Sequence, residues 1–405
     1  MKASTNKFDC ELYPRLLYSS LSNGTVTTMP DNAQLAPRRR LFDADSHILE
    51  PNGWLDDYAD AATREHFRPF HHPIAPDKEA AQAIVDGRSD SPAPDEPQWG
   101  RGYEAYGAWD PAERRNFLDQ HQIEVQLVFS TFAPAVFLGG DTDLLYGGIR
   151  AHTRALVDFC SSDPRLVAVP LIPLTDLERA AAEVDFALAQ GAGAILLNST
   201  APSREMGPSH VDIDPFWARL QEAGVPFVTH VGTGGRLIPS GYRHNGRPMP
   251  TDFLGGGENI RSKDFLNIGY WPANFLAALA LDGVFDRFPG LRGASIEQGA
   301  EWVPGLLKTL EGAMQFAKTE PDLAALSMPA ADFIRRQVKF APFPKDDVGW
   351  VLDNVGPELL LFSTDYPHPE GTRDPIGRFE KHLGRFDESV QERFYVENLA
   401  ELLGR

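Results

Sequence analysis

Short apolar runs rich in β-branched residues alternate along the chain with stretches whose apolar positions recur at helical spacing. Eight such runs stand out: LFDADSH (41–47), VQLVFST (125–131), RLVAVPLIPL (165–174), GAILLNST (193–200), PFVTHVG (226–232), LRGASIE (291–297), QVKFAPF (337–343) and ELLLFSTD (358–365). Between them lie helical patterns such as DLERAAAEVDFALAQGA, DPFWARLQEAG and AEWVPGLLKTLEGAMQFAK. This alternation predicts βα units around a parallel sheet, and eight strands are what closes a (β/α)8 barrel, an α/β TIM barrel. A doubly wound open sheet is the competing architecture, but no Gly-x-Gly-x-x-Gly follows an early strand to favour it.

Two gaps, 48–124 and 233–290, are too long for a loop and one helix. In a barrel both follow strands, so both are expected as long insertions over the C-terminal mouth, where active sites of this fold are built. Residues 1–40 read as an N-terminal arm, and 41–405 as one barrel domain. The Pro- and Gly-rich stretch from Gly87 to Gly102 reads as a surface loop.

Composition narrows the partners. The 405 residues carry 38 Lys and Arg against 57 Asp and Glu, a net charge of -19. Such a surface repels phosphate backbones and anionic lipid, and Arg38-Arg39-Arg40 is too short a basic patch to reverse that, so neither nucleic acid nor membrane is expected. No apolar run approaches the ~20 residues of a membrane span, and the N-terminus lacks a signal-peptide layout, so a cytoplasmic location is expected. Cys10 and Cys160 are too few for a disulfide framework or a thiolate metal site. Any metal must therefore have nitrogen and oxygen ligands.

Such ligands stand at the ends of the apolar runs: Asp45 and His47 on the first, His230 on the fifth, Glu297 on the sixth and Asp365 on the eighth. Strands buried on both faces should end in apolar or small residues. Side chains alternate, so Asp45 and His47 share a face with Asp43 one step below, and the pair can chelate one ion. Two imidazoles with two or three carboxylates suit zinc, manganese or iron. Taken singly, each residue also reads as a helix cap or a hydrogen-bonded core group; their joint placement is the signal.

These residues carry a resemblance. DADSHILEP (43–51), DPFWARLQEAGVPFVTHVG (214–232), EQGAEWVPGLL (297–307), FSTDYPHPEG (362–371) and ENLAELLG (397–404) resemble the amidohydrolase-related branch of the amidohydrolase superfamily, which includes aminocarboxymuconate semialdehyde decarboxylase and the resorcylate decarboxylases. The resemblance implies that Asp45, His47, His230 and Asp365 hold a divalent ion, with Asp365 also moving protons. By the same resemblance, Glu297 occupies the position of a His that in the decarboxylases supports the ligands or acts in catalysis. Carboxylates at Asp45 and Glu297 in place of imidazoles point to manganese or iron over zinc.

Four functions follow as expectations. The first is hydrolysis of a small amide or carboxylate-bearing substrate by a metal-activated water, with Asp365, Glu297 and His230 as catalytic residues. The second is metal-dependent decarboxylation of an aromatic or unsaturated acid. The third, also implied by the resemblance, is a dinuclear iron or manganese hydroxylase, with Glu50, Glu297 and His368 as candidates for the second ion or its surroundings; alternatively Glu50 caps the next helix and His368 packs beside the strand-eight loop or hydrogen-bonds substrate. The fourth is a non-catalytic barrel within a heteromeric complex. Phe132, Asn198 and Phe343 follow strands two, four and seven, and Arg236, Arg243 and His244 lie in the second insertion; these are the candidate substrate contacts, an arginine there suiting a substrate carboxylate. The resemblance also implies a homo-oligomer.

Overall fold

The computed structural model describes residues 39–69, 71–72, 75–87, 101–234, 238–248, 261–369 and 371–405; the arm up to residue 38 and most of the loop after Gly87 lie outside them. Among the described residues seven parallel strands appear: β1 (Leu41–Ile48), β2 (Ile123–Ser130), β3 (Leu166–Ala168), β4 (Ile195–Leu197), β5 (Phe227–His230), β6 (Gly293–Ile296) and β7 (Val338–Phe340). They form two arcs, β1-β2-β3 and β4-β5-β6-β7.

Backbone hydrogen bonds join the arcs at both seams. Beyond β3, Gly193 N donates to Ala168 O (3.1 Å), Leu196 N to Pro170 O (2.9 Å) and Ile172 N to Leu196 O (2.9 Å). On the other side the eighth run pairs with β7 through Phe340 N to Leu359 O (2.8 Å) and Leu361 N to Phe340 O (2.9 Å). It then meets β1 through Ala44 N to Phe362 O (2.9 Å), Asp365 N to Asp45 O (3.0 Å) and His47 N to Tyr366 O (2.6 Å). The ring closes as a (β/α)8 barrel. Its ladders are broken at identifiable points: Pro170 and Pro173 have no N–H to donate in the third run, and in the eighth Phe362 N donates to Phe394 O (3.0 Å) and Thr364 N to the Asp43 side chain (2.9 Å) instead of to the backbone of a neighbouring strand.

Outer helices cover the barrel. Six of them begin with an aspartate whose side chain accepts from a backbone N–H in the first turn: Asp110, Asp141, Asp176, Asp347, Asp374 and Asp387. Part of the acidic balance is thus spent on helix N-caps, where it also meets the positive end of the dipole. Between strands and helices the packing is tight: the Phe227 ring lies where Gly293, its partner in register on β6, would carry a Cβ, only 2.1 Å from Phe227 Cζ.

Both insertions reach the mouth. From the first, Leu49 N donates to Ala108 O (3.0 Å), Tyr103 Oη to Glu50 O (3.1 Å) and Gly102 N to Pro367 O (2.8 Å), so the insertion wraps the ends of β1 and the eighth run. Its last helix, Pro111–His121, returns to β2. From the second, Phe265 rests on Phe343 beyond β7 with ring centroids 5.7 Å apart, and Trp271 abuts Gly234 beyond β5.

Candidate metal centre

Six ionisable side chains from four strand ends converge at the mouth, all buried: Asp45, His47, His230, Glu297, Asp365 and His368. His47 Nε2 lies 3.2 Å from Asp45 Oδ1, 3.7 Å from Asp365 Oδ1 and 3.9 Å from Glu297 Oε2. His230 Nε2 lies 3.4 Å from Asp45 Oδ1 and 3.2 Å from Glu297 Oε2. His368 Nδ1 is 2.9 Å from Asp365 Oδ1, and its ring stacks on His47 at 3.9 Å.

The strand-end set expected from sequence is distributed over two overlapping groups. Asp45, His47, His230 and Glu297 have potential ligand atoms all within 4.8 Å of one another, and so do His47, Glu297, Asp365 and His368. Two backbone distortions aim the carboxylates: Glu297 at φ 50° and Asp365 at φ 52° are two of three non-glycine residues with positive φ among the described residues. Non-glycine residues rarely sit there, and such strain gathers at functional sites.

The electrostatics call for a cation. His230 Nδ1 lies 2.9 Å from the carbonyl of Val231, which assigns its proton to Nδ1 and turns the Nε2 lone pair toward two carboxylate oxygens. Three acceptors then face one another in a buried space, which is unfavourable unless a proton or metal ion lies between them. Neither ring nitrogen of His47, nor Asp365 Oδ1, makes a hydrogen bond of acceptable geometry, though each has ionisable neighbours close by. Burial, with His368 nearby, lowers the His47 pKa to about 3, keeping the ring neutral. Burial alone would raise the Asp45 pKa, but His230 and His47 outweigh it and hold the carboxylate ionised. Burial pushes Asp365 upward, opposed by His368. Neutral imidazoles beside an ionised carboxylate are the state a divalent ion binds, so the donor set fits one.

The remaining candidates fall around this cluster. Glu50 is buried, accepting at Oε1 from Ser130 Oγ and Thr131 N (3.0 Å) and at Oε2 from Phe132 N (2.9 Å); it ties down the loop after β2 and lies outside both groups. Thr131 Oγ1 in turn lies 3.0 Å from His368 Nε2. Phe132 stacks on His72 at 4.6 Å, and the backbone N of Phe343 donates to Asp346 (3.1 Å). Asn198 is half-buried just past β4 and His244 is exposed. Arg243 is held in an ion pair with Asp264, so its guanidinium is already engaged. Arg236 lies outside the described residues.

Sequence reasoning passed over Arg114 and Gln126, which lie beneath the ligands, and Arg101, whose Nη1 reaches the carbonyl of Asp365 at 3.3 Å. An arginine on a polar helix or in a Pro-rich loop carries no local signal of these roles. The second buried acid of β1, Asp43, was the one legible hint.

Residues 42–405 match the family described as "Amidohydrolase". The chain belongs to the amidohydrolase family. Among its relatives is the gamma-resorcylate decarboxylase of Rhodococcus jostii (strain RHA1), 24% identical over 265 residues, which cover 63% of this chain and 76% of that protein. A crystal structure of an amidohydrolase from Mycobacterium avium subsp. paratuberculosis K-10 superposes with a TM-score of 0.70 at 25% identity, covering 91% of this chain and 100% of the other. The dihydroxybenzoic acid decarboxylase of Polaromonas sp. JS666, with bound manganese and 2-nitroresorcinol, gives a TM-score of 0.59 at 18% identity over 90% of this chain and 97% of its own. This amidohydrolase-family enzyme thus shares the barrel of proteins that bind a metal ion and a small aromatic ligand. Among the described residues no helix is long and apolar enough to cross a membrane.

Proposed function

We propose that this protein is a divalent-metal-dependent decarboxylase of a small aromatic carboxylic acid, placing that reaction ahead of hydrolysis. The observation that carries the reading is the set of buried imidazole and carboxylate atoms facing one another at the barrel mouth, in a chain with a resorcylate decarboxylase among its relatives. Asp45, His47, His230 and Glu297 would hold the ion through two imidazole nitrogens and two carboxylates, and the carboxylates suit manganese. When bound, the ion supplies positive charge that neutralises and orients the substrate's oxygens.

The chain's own groups do the rest. Phe129, 4.7 Å from His230 between ring centroids, gives the site an apolar aromatic wall, and the half-buried Phe132 and Phe343, just past β2 and β7, are the further rings a substrate would meet. Asp365, with its carboxyl raised by burial, delivers a proton to the ring carbon that bears the carboxylate. The bond to the carboxylate then breaks, its electron pair restores the ring, and carbon dioxide leaves. His368, 2.9 Å from Asp365, returns a proton to it.

The test is to reconstitute the protein with manganese, offer a panel of hydroxybenzoates in deuterium oxide, and follow carbon dioxide and the product. One deuterium at the former carboxyl position supports the reading; amide or lactone hydrolysis without carbon dioxide overturns it. The second group, His47, Glu297, Asp365 and His368, favours a second reading, a dinuclear oxygen-activating site. Two ions per chain together with oxygen uptake would select it.

A further inference from the structure

Strand β1 does not run evenly along β2. Asp43 pairs with Gln126 and Ser46 with Val128, so Ala44 and Asp45 together stand opposite the single residue Leu127, and the ladder bulges where the first metal-ligand candidate projects. A bulge leaves backbone groups without their ladder partners and re-aims the side chains it carries. Here side chains repair the loss. The buried Asp43 carboxylate accepts from Asp45 N (3.2 Å) and Thr364 N (2.9 Å) through Oδ1, and from Thr364 Oγ1 (2.7 Å) and Gln126 Nε2 (2.8 Å) through Oδ2.

Gln126 carries the chain onward. Its Oε1 accepts from Arg114 Nη1 (3.0 Å), and that same Nη1 reaches Ser46 Oγ (3.2 Å) while Nη2 donates to the carbonyl of His47. Arg114 Nε donates to Gly107 O in the first insertion, and the guanidinium lies over Tyr366, 4.9 Å from the ring centroid, next in sequence to Asp365. Arg114 is fully buried, with 0% of its surface exposed, and its rigid fork spans four elements as a flexible ammonium could not.

We propose that the Asp43–Gln126–Arg114 chain is the positioning device of the metal centre: it brackets the β1 bulge from both sides and so sets the spacing of Asp45 and His47 and the approach of the eighth run. This rests on the reading that the cluster binds a divalent ion. Asp43 fixes the near side of the bulge and holds Thr364 by its backbone N and hydroxyl; Arg114 fixes the far side at Ser46 and His47. Neither residue touches substrate or ion, and both act through the ligands.

Arg114→Lys keeps the charge and loses the fork. The control is Lys339→Met, which removes another buried cation; Lys339 bonds to Glu358 O and Glu401 Oε2 and touches no ligand. Manganese affinity is measured by chelator competition, together with the electron paramagnetic resonance spectrum of the bound ion and the thermal midpoint of the metal-free proteins. The expected result is a manganese affinity at least tenfold weaker in Arg114→Lys than in Lys339→Met, with an altered spectrum. Equal affinities and unchanged spectra would overturn the proposal. Should Arg114→Lys fail to fold, Gln126→Met, which cuts the link without removing a charge, is judged by the same criterion. Failure of the wild type to bind manganese would instead remove the reading beneath it.

Discussion

Glu297 holds a carboxylate oxygen 3.2 Å from Nε2 of His230, where the hydrogen bond from Nδ1 to Val231 turns the Nε2 lone pair toward it. Two acceptors at that distance need a cation between them. Glu297→Gln keeps the shape and removes the negative charge, so the site loses one of its anionic donors. Metal retained after dialysis should fall, with affinity for manganese weakened by more than the roughly 10- to 100-fold that losing a partner of a ligand costs. Full metal occupancy in the variant would exclude Glu297 as a ligand.

Asp365 should behave oppositely. Its carboxyl is raised by burial and faces His368, which suits it to carry a proton. Asp365→Asn should hold its ion while kcat drops by about 10²- to 10⁴-fold, the usual weight of a positioned acid. Parallel metal analysis and single-turnover assays separate this from a binding defect. A variant that loses ion and activity together would make Asp365 a ligand rather than the proton carrier.

The barrel was legible because its signal is local: all eight apolar runs reappear, seven with paired ladders, the third of them cut short at its prolines, and the eighth as a strand interrupted where Phe362 N and Thr364 N turn to Phe394 O and Asp43. Asp45, His47, His230, Glu297 and Asp365 could be picked out because ionisable residues do not belong at the ends of buried strands. The clamp below them was not, since Arg114 sits on a helix of ordinary polar pattern and acquires its meaning only when Gln126 and His47 arrive from other strands. The bulge was hidden too, because two-residue alternation already puts Asp45 and His47 on one face. Arg243 shows the converse: a loop arginine carries no sequence signal of the ion pair it makes with Asp264.

Gly293 offers a test of the packing itself. A Cβ there would sit 2.1, 2.4 and 2.5 Å from three atoms of the Phe227 ring, which is itself packed by Trp217, Phe275 and Phe285. Gly293→Ala should therefore cost about 1–3 kcal/mol, as overpacking does. Phe227→Leu should recover part of that loss, giving a coupling of about 1 kcal/mol in a double-mutant cycle by urea unfolding. Additive effects would mean that the ring relaxes freely.

Asp346 predicts a pH dependence with a definite sign. Burial raises its pKa from 3.8 to about 6, against the hydrogen bonds it accepts from Ala300 N (2.8 Å) and Phe343 N (3.1 Å). Between those two pH values the folded protein keeps the proton while the unfolded chain has lost it. Stability therefore declines as pH rises through that window and levels off above about 6. Both backbone donors meet the same oxygen, Oδ2, so the carbonyl of an asparagine can accept both. Asp346→Asn should then lack this slope, and its stability relative to wild type should grow by roughly 2 kcal/mol from pH 4 to pH 7. Urea unfolding of the two metal-free proteins across that range is the measurement; taking the difference cancels every titration they share. Curves that stay parallel would show that the Asp346 carboxylate is better solvated by the loops after β6 and β7 than its burial implies.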